Sequence, residues 1–237
     1  DKTPATAKDA DGAYYADSTG IMSVGWNADK YGDISSLDDL LDPKFAGTVA
    51  LNGKPAEAGA AFNGYLMANQ LAGGDINNLQ PGLDFFKKLK EAGNLTTVDV
   101  TNGTIDSGQT GVVFDWTYNQ ASYKKELKDK GVNWKYKTFP KAQVVSYYNQ
   151  AINKDAPHPA AARLWEEYLY TADAQNLWFK GGANPVLLDS MKEDGTVDQA
   201  TLKDAITIEG EPVSYTNDDS TRITEWLQNN WDKTIGN

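Results

Sequence analysis

The sequence predicts an α/β fold, because strand-like and helix-like segments alternate along most of its 237 residues. The clearest strand is the apolar run Thr110–Trp116, which leads directly into a helical pattern over Tyr118–Lys130. A continuous apolar run of this kind is typical of a buried parallel strand. Hydrophobic residues make up 40% and aromatic residues 11% of the chain, which is enough for a core and excludes a disordered protein.

The first half of the chain contains strand and helix signals in turn. Alternating β-forming residues over Tyr14–Trp26 predict either a strand pair or one long strand bent at Gly20. Helical periodicity followed by Gly predicts helices that end near Leu71 and Ala92. The predicted elements after the first strand are a short capped helix at Ser35–Leu41, a strand at Gly47–Leu51, and helices at Glu57–Leu71 and Leu83–Ala92.

The second half continues the alternation. Strands are predicted at Val132–Phe139 and Gln143–Ile152, and residues 186–215 are mixed and loop-rich. Helices are predicted at Pro159–Tyr170, Asp173–Phe179 and Ser220–Trp231. Four tryptophans lie at helical spacing and are predicted to be core residues: Trp165, Trp178, Trp226 and Trp231.

The domain organisation is predicted to be nested, because no Pro- or Gly-rich linker divides the chain into two sequential domains. We expect an α/β lobe at about 20–141. Residues 1–19 and 142–237 would form the remaining part of a second, discontinuous lobe. The strands at 14–26 and 143–152 would then cross between the two lobes.

Composition excludes several classes of protein. The chain has no Cys and one His, which rules out thiol catalysis and a multi-histidine metal site within it. A formal charge of −11, from 22 basic and 33 acidic residues, argues against a nucleic-acid-binding surface. The chain contains no P-loop, no Gly-x-Ser-x-Gly elbow and no Gly-x-Gly-x-x-Gly motif. We therefore predict no enzymatic activity, no cofactor and no metal site.

Three segments resemble the extracellular solute-binding proteins of ABC importers, in the branch that includes iron, thiamine, polyamine and phosphonate binders. These segments are Ile34–Leu51, Tyr147–Tyr170 with its Pro-His-Pro-Ala-Ala sequence, and Ala174–Val186. The resemblance implies a fold like that of type II periplasmic binding proteins, with two lobes joined by crossing hinge strands. It also implies that one lobe is incomplete, because such proteins open with a further segment of the N-terminal lobe.

The resemblance also implies a function and partners. The chain would be a monomer that captures a small solute in the cleft between its lobes and presents it to an ABC permease in the membrane. It would be extracytoplasmic, either periplasmic or a cell-surface lipoprotein.

One candidate group of ligand contacts follows the clearest strand: Asp115, Trp116, Tyr118 and Asn119. Ligands of open α/β sheets bind beyond the carboxyl ends of the strands. A carboxylate beside aromatic rings suits an amine, through charge pairing and cation–π contact. The alternative is that Asp115 caps the following helix and Trp116 is a core residue.

A second candidate group lies at the start of the helix near residue 57 and consists of Glu57, Gly59 and Ala60. Free backbone N–H groups there suit an anion, whereas the Glu57 carboxylate would repel one. The alternative is that Glu57 only interacts with the helix dipole.

By similarity, the crossing strands supply the remaining candidates, Thr19, Gly20, Tyr147 and Tyr148. Gly20 has an alternative role as a hinge, and adjacent residues of a strand face opposite ways, so only one of the two tyrosines can face a ligand. The residues favour a polyamine or other amine cation as the solute. A small anion such as a phosphonate, or a metal complex, is the first alternative, and a surface adhesion module is another.

Overall fold

The computed structural model describes residues 2–209 and 211–236 and divides the chain into two compact units. Unit 1 contains the residues up to 21 and residues 146–208, and unit 2 contains residues 22–145 and those from 209 onward. The strand β1, Tyr15–Asn27, contributes to both units. It runs through Gly20 as one strand, which decides between the two predictions for this segment.

In the described part of the chain the strands are β1 (Tyr15–Asn27), β2 (Val49–Leu51), β3 (Val112–Trp116), β4 (Trp134–Lys137), β5 (Val145–Gln150) and β6 (Asn184–Pro185). The helices are α1 (Ala28–Tyr31), α2 (Gly59–Leu71), α3 (Gln80–Glu91), α4 (Asn102–Asp106), α5 (Thr117–Glu126), α6 (Pro159–Leu169), α7 (Ala172–Lys180), α8 (Leu188–Glu193), α9 (Gln199–Asp204) and α10 (Asn217–Thr234). Most predicted elements are confirmed with shifted ends. The helix predicted at Ser35–Leu41 is instead a 3-10 turn at Asp38–Leu41, and the loop-rich segment contains α8 and α9.

Unit 2 is built on a mixed sheet with the strand order β2-β3-β1-β4. β3 is parallel to β2 and antiparallel to β1, and β4 is antiparallel to β1. The parallel pairing places Leu51 opposite Phe114. The chain segments that leave β2 and β3 therefore begin at the same edge of the sheet, and this edge carries the candidate site.

Helix α2 packs directly on this sheet. At Gly64 an added Cβ would lie 2.9 Å from Leu51 Cδ2 and 3.3 Å from Phe114 Cβ, so only glycine allows this close approach. On the other side, Tyr65 stacks on Phe86 of α3 with ring centroids 5.8 Å apart. The result is a core in which α2 is buried between the sheet and α3.

Helix α10 belongs to unit 2, which differs from the predicted division of the chain. Residues 209–237 were expected in the lobe formed by 1–19 and 142–237. The structure places Ile223, Leu227 and Trp231 in the same core as α2 and α3, with Trp231 edge-on to Phe86 at 5.3 Å. The periodicity of α10 showed an apolar face but could not show which core that face would join.

Unit 1 is smaller and has less core. The first part of β1 pairs with β5 and β6, and Ser18 is opposite Pro185. The side chain of Gln175 on α7 ties these segments together. It donates to the backbone oxygens of Asp17 at 3.1 Å and Leu169 at 2.7 Å, and it accepts from the Leu187 N–H at 3.2 Å. The apolar clusters of unit 1 are small, and one of them consists of Phe179, Leu188, Met191 and Val197.

The prediction that four tryptophans are core residues is half wrong. Trp231 is buried and Trp226 packs against the core of unit 2. In unit 1, however, Trp165 is 61% exposed and Trp178 is 38% exposed. Helical spacing determines which residues share a face, whereas burial depends on whether another element covers that face.

None of the helices in the described ranges combines the length and the apolar character that crossing a bilayer would need.

Candidate functional site

The shared edge of β2 and β3 places Asn52 next to Asp115. Leu51 and Phe114 are paired across the two strands. Asn52 directly follows Leu51, and Asp115 directly follows Phe114. Asn52 Nδ2 donates to Asp115 Oδ2 at 2.8 Å. Helix α5 starts two residues after Asp115, so Asn119 and Tyr123 lie four and eight residues beyond it, on one helix face. This face is directed back to the same carboxylate.

Asp115 is fully buried, and its carboxylate accepts four hydrogen bonds. Oδ2 accepts from Asn52 Nδ2 and from Tyr123 Oη, the latter at 2.9 Å. Oδ1 accepts from Asn119 Nδ2 at 2.9 Å and from the Trp116 backbone N–H at 2.8 Å. A carboxylate offers about four lone-pair sites, so protein donors fill them all.

Burial raises the pKa of Asp115, and the four hydrogen bonds oppose this shift. Burial also raises the pKa of Tyr123, and the neighbouring charge of Asp115 raises it further. The donors to Asp115 are neutral amide, phenol and backbone groups. The carboxylate therefore organises the edge of the sheet, and a ligand amine could reach it only by displacing one of these donors.

The aromatic residues beside Asp115 differ in accessibility. Trp116 is buried, as its core interpretation predicted, whereas Tyr118 is half-buried. The two rings stack with centroids 6.4 Å apart and an interplanar angle of 15°. Tyr118 and the half-buried Asn119 are thus the more accessible members of this candidate group.

The second candidate group surrounds the N-terminus of α2. Ala58 precedes the helix in an extended conformation and provides no side-chain cap. The first helical hydrogen bond runs from Phe62 N to Ala58 O, so the N–H groups of Gly59 and Ala60 lie before it. Gly59 is exposed, and an added Cβ would meet no atom within 4 Å. The helix therefore begins at an open position, beside the exposed Glu57, and its first N–H groups have no partner within the helix and no side-chain cap.

The four remaining candidates lie in unit 1. Thr19 is buried and donates from Oγ1 to the Ser146 backbone oxygen at 2.8 Å, and Gly20 is buried within β1. Tyr147 is half-buried and packs on a small apolar cluster, whereas Tyr148 is 46% exposed. The two tyrosines differ as expected for adjacent strand residues.

Sequence reasoning missed Asn52 and Tyr123 as partners of Asp115. Asn52 could have been identified from the sequence, because it directly follows the predicted strand at 47–51. Asp115 directly follows the apolar residues Val112–Phe114 in the same way. Tyr123 lies two helical turns beyond Asp115, and its contact depends on the angle at which α5 leaves the sheet. Among the residues that the structure describes, no three Asp, Glu or His side chains cluster as metal ligands would.

Solved structures share this fold. Iron-bound HitA from Pseudomonas aeruginosa matches 96% of this chain at 20% identity and a TM-score of 0.65. AfuA from Actinobacillus pleuropneumoniae, with fructose-6-phosphate bound, matches 94% at 18% identity and a TM-score of 0.64. The spermidine/putrescine ABC transporter substrate-binding protein PotD from Streptococcus pneumoniae matches 96% at 14% identity and a TM-score of 0.67. At these identities the likeness shows the fold alone, that of type II periplasmic binding proteins.

The match covers nearly all of this chain but only 72%, 68% and 71% of HitA, AfuA and PotD, respectively. No curated protein matches the sequence. The family model described as "Bacterial extracellular solute-binding protein" matches residues 1–205, which is most of the sequence. The chain therefore belongs to the bacterial extracellular solute-binding proteins, a family of transport proteins that act outside the cytoplasm.

Proposed function

We propose that this chain is the receptor of an ABC importer and that it captures a small solute with an anionic group at the N-terminus of α2. It would deliver the solute unchanged, as a monomer, to a permease in the membrane. A cell-surface lipoprotein and a free periplasmic protein are both compatible with this role. Membership of the family supports the receptor role. The uncapped N-terminus of α2 is the observation that supports an anionic solute.

The N-terminus of α2 favours an anion for two reasons. The helix has 13 residues, so its dipole places a partial positive charge at Gly59 and Ala60. Its first N–H groups lack a side-chain cap, and uncapped N–H groups at a helix start can donate to a ligand oxygen. Glu57 opposes an anion, but its side chain is exposed, and charges in water are strongly screened.

An amine cation, which the sequence favoured, is the second candidate. The stacked pair Trp116–Tyr118 supports it, because the half-buried Tyr118 could offer a ring face to a cation. The Asp115 carboxylate supports it less than expected, since four protein donors already occupy it. Among the predicted contacts, Glu57 would then be the carboxylate that pairs with the amine.

The related structures do not favour one solute over another. HitA is iron-bound, AfuA carries fructose-6-phosphate, and PotD is named for spermidine and putrescine. The fold therefore accommodates metal, anion and amine ligands, and the choice depends on the residues of each chain.

A thermal-shift panel tests the proposal on the polypeptide as its gene encodes it. The probes are inorganic phosphate, methylphosphonate, fructose-6-phosphate, putrescine, spermidine and ferric citrate. A ligand at 1,000 times its Kd stabilises by about 4.1 kcal/mol, which at about 2–4 °C per kcal/mol raises Tm by roughly 8–16 °C. We expect such a shift with at least one of the three anions and with neither amine.

The variant Gly59→Asp adds a negative charge at the open position, and Gly59→Asn is its neutral control of the same shape. A Cβ added at residue 59 meets no atom within 4 Å, and Asp is a favourable residue in the first helical turn. Anion affinity should fall by at least about tenfold in Gly59→Asp relative to Gly59→Asn. A rise in Tm with putrescine or spermidine alone would favour the amine candidate. No change in Tm with any of the probes would favour the adhesion module. Conversion of a probe, detected by mass spectrometry, would contradict a pure receptor.

A further inference from the structure

Three Asn-Gly dipeptides occur in the chain: Asn52-Gly53, Asn63-Gly64 and Asn102-Gly103. In such a dipeptide the backbone nitrogen of glycine can attack the side-chain carbonyl carbon of asparagine, because glycine has no side chain and its backbone rotates freely. The product is a succinimide ring, which water opens to aspartate or isoaspartate. Asparagine is for this reason one of the thermally labile residues. The dipeptide deamidates readily only where the backbone can bring the two reacting atoms together.

The backbone conformation differs among the three dipeptides. Asn63-Gly64 is buried in the interior of α2, and Asn102-Gly103 forms the start of α4. A helical backbone has fixed dihedral angles, so it cannot rotate to close the ring without losing the helix. Asn52-Gly53 is the one dipeptide of the three that lies outside a helix or strand, directly after β2. The fold therefore protects two of the asparagines and leaves Asn52 in a conformation that can change.

The turn after β2 requires glycine at position 53. Gly53 has a φ of +102°, which residues with a side chain rarely adopt, and an added Cβ would lie 2.5 Å from Ala58 Cβ. The Gly53 N–H donates to Leu51 O at 2.9 Å, and this hydrogen bond spans a single residue, so it can open without unfolding a helix or the sheet. Gly53 is exposed, so water can reach a ring that forms here. The structure thus keeps beside Asn52 the residue that makes ring closure easiest.

Deamidation at this position would act directly on the buried carboxylate of Asp115. Asn52 Nδ2 donates to Asp115 Oδ2 at 2.8 Å, and an aspartate at position 52 has no N–H to replace this donor. The new carboxylate would lie beside a buried one, and like charges in such a position oppose each other's ionisation. The other donors to Asp115 are neutral, so they do not compensate the added charge. Isoaspartate would also lengthen the main chain between β2 and α2.

We propose that Asn52 is a modification site at which the protein deamidates spontaneously, and that the product breaks the contact between the segments that follow β2 and β3. The nitrogen of Gly53 forms a bond to Asn52 Cγ, the bond from Cγ to Nδ2 breaks, and the proton of the Gly53 N–H leaves with Nδ2 as ammonia. Water then adds to one carbonyl carbon of the ring, a C–N bond breaks, and the nitrogen regains a proton. Water is the only co-reactant, and the inference does not depend on which solute the protein binds.

Peptide mapping by mass spectrometry tests the first part of the proposal without any substitution. The protein is incubated at mildly alkaline pH, once folded and once unfolded in guanidinium chloride, and conversion is measured at Asn52, Asn63 and Asn102. In the unfolded chain the three should react at similar rates, because glycine follows each of them. Folding should slow conversion at Asn63 and Asn102 at least about tenfold and leave Asn52 the fastest. If folding protects Asn52 as strongly as it protects Asn63, the proposal is wrong.

The variant Asn52→Asp carries the product and tests the second part. Asn229→Asp is the control, because it adds the same charge at an exposed position of α10. We expect Asn52→Asp to lower Tm by roughly 4–12 °C and Asn229→Asp to lower it by less than about 2 °C. Wild-type protein aged until Asn52 is converted should show the same loss as Asn52→Asp. A Tm of Asn52→Asp equal to that of Asn229→Asp would contradict the disruption of the Asp115 contact.

Discussion

Asn52 and Asp115 follow two parallel strands at equivalent positions, and Asn52 Nδ2 donates to Asp115 Oδ2 at 2.8 Å. This hydrogen bond joins the segment that leads to α2 with the strand that leads to α5. Two residues of α5, Asn119 and Tyr123, hold the same carboxylate from the other side. Asp115 therefore determines how the two helix starts are placed at the edge of the sheet.

Replacement of Asp115 by Ala should strongly destabilise unit 2. The substitution leaves the donors of Asn52, Asn119 and Tyr123 without their acceptor, and an unsatisfied buried polar group costs about 1–3 kcal/mol. We expect the free energy of unfolding to fall by about 2–5 kcal/mol in urea titrations. The exposed Asp129→Ala is the control and should change stability little. A loss at Asp115 no larger than that at Asp129 would contradict this role.

The stability of unit 2 should depend on pH through Asp115. Burial raises the pKa of this carboxyl above its ordinary value of 3.8. Between that value and the folded pKa, the folded state binds more protons than the unfolded state, so stability decreases as pH rises. The contribution of Asp115 protonation to the stability of unit 2 is fully present below pH 3.8. It is lost as pH rises through the pKa of Asp115 in the folded state.

Comparison with Asp115→Asn isolates this contribution from those of other carboxylates. Urea unfolding of both proteins between about pH 3 and pH 7 should show that the wild type loses stability relative to the variant as pH increases. A stability difference that stays constant across this range would show that the pKa of Asp115 is the same in the folded and unfolded states.

Replacement of Ala58 by Ser should stabilise α2 and weaken anion binding. Ala58 has the extended backbone of an N-cap residue but no side-chain acceptor. A serine oxygen could accept from the N–H groups at the start of the helix and add about 1 kcal/mol of stability. The same hydrogen bond would compete with a bound anion. Calorimetric unfolding measures the change in stability, and titrations with phosphate and fructose-6-phosphate measure the change in affinity. The exposed Ala72→Ser, at the C-terminal end of the same helix, is the control.

If Ala58→Ser raises stability and leaves anion affinity unchanged, the start of α2 does not contact the ligand. That outcome would favour the amine candidate and direct attention to Tyr118 and Glu57.

Replacement of Gly25 by Ala should disrupt a buried hydrogen-bond pair. An added Cβ would collide with Gln120 Oε1 and lie 2.8 Å from Trp134 Nε1. Trp134 Nε1 now donates to Gln120 Oε1 at 2.8 Å, and Gln120 Nε2 donates to the Val113 backbone oxygen at 3.0 Å. Overpacking costs about 1–3 kcal/mol, and each buried donor left unpaired costs about 1–3 kcal/mol more.

We therefore expect Gly25→Ala to lower the free energy of unfolding by about 2–5 kcal/mol and to change the fluorescence of Trp134. Gly59→Ala is the matched control, because its new methyl group enters open space and should change stability by less than about 1 kcal/mol. Equal effects of the two substitutions would show that the sheet accommodates a side chain at Gly25.

Much of the fold was predictable because its signals are local. The apolar run Val112–Trp116 and the helical periodicity of α2, α3 and α10 indicate their structure from residues close in sequence. The placement of Asp115 and Asn119 after a strand and at a helix start could also be predicted. What these side chains contact could not, because Asn52 lies 63 residues away along the chain from Asp115.

The sequence by itself determined the class of fold, the order of most elements and the resemblance to solute receptors, because these depend on residue types and short spacings. Only the tertiary structure decided that Asp115 is saturated by protein donors, that α10 completes the core of unit 2, and that Trp165 and Trp178 lie on an uncovered face. The physical reason is the same in each case. Burial and hydrogen-bond satisfaction are properties of distant segments brought together, and periodicity carries no information about which segments meet.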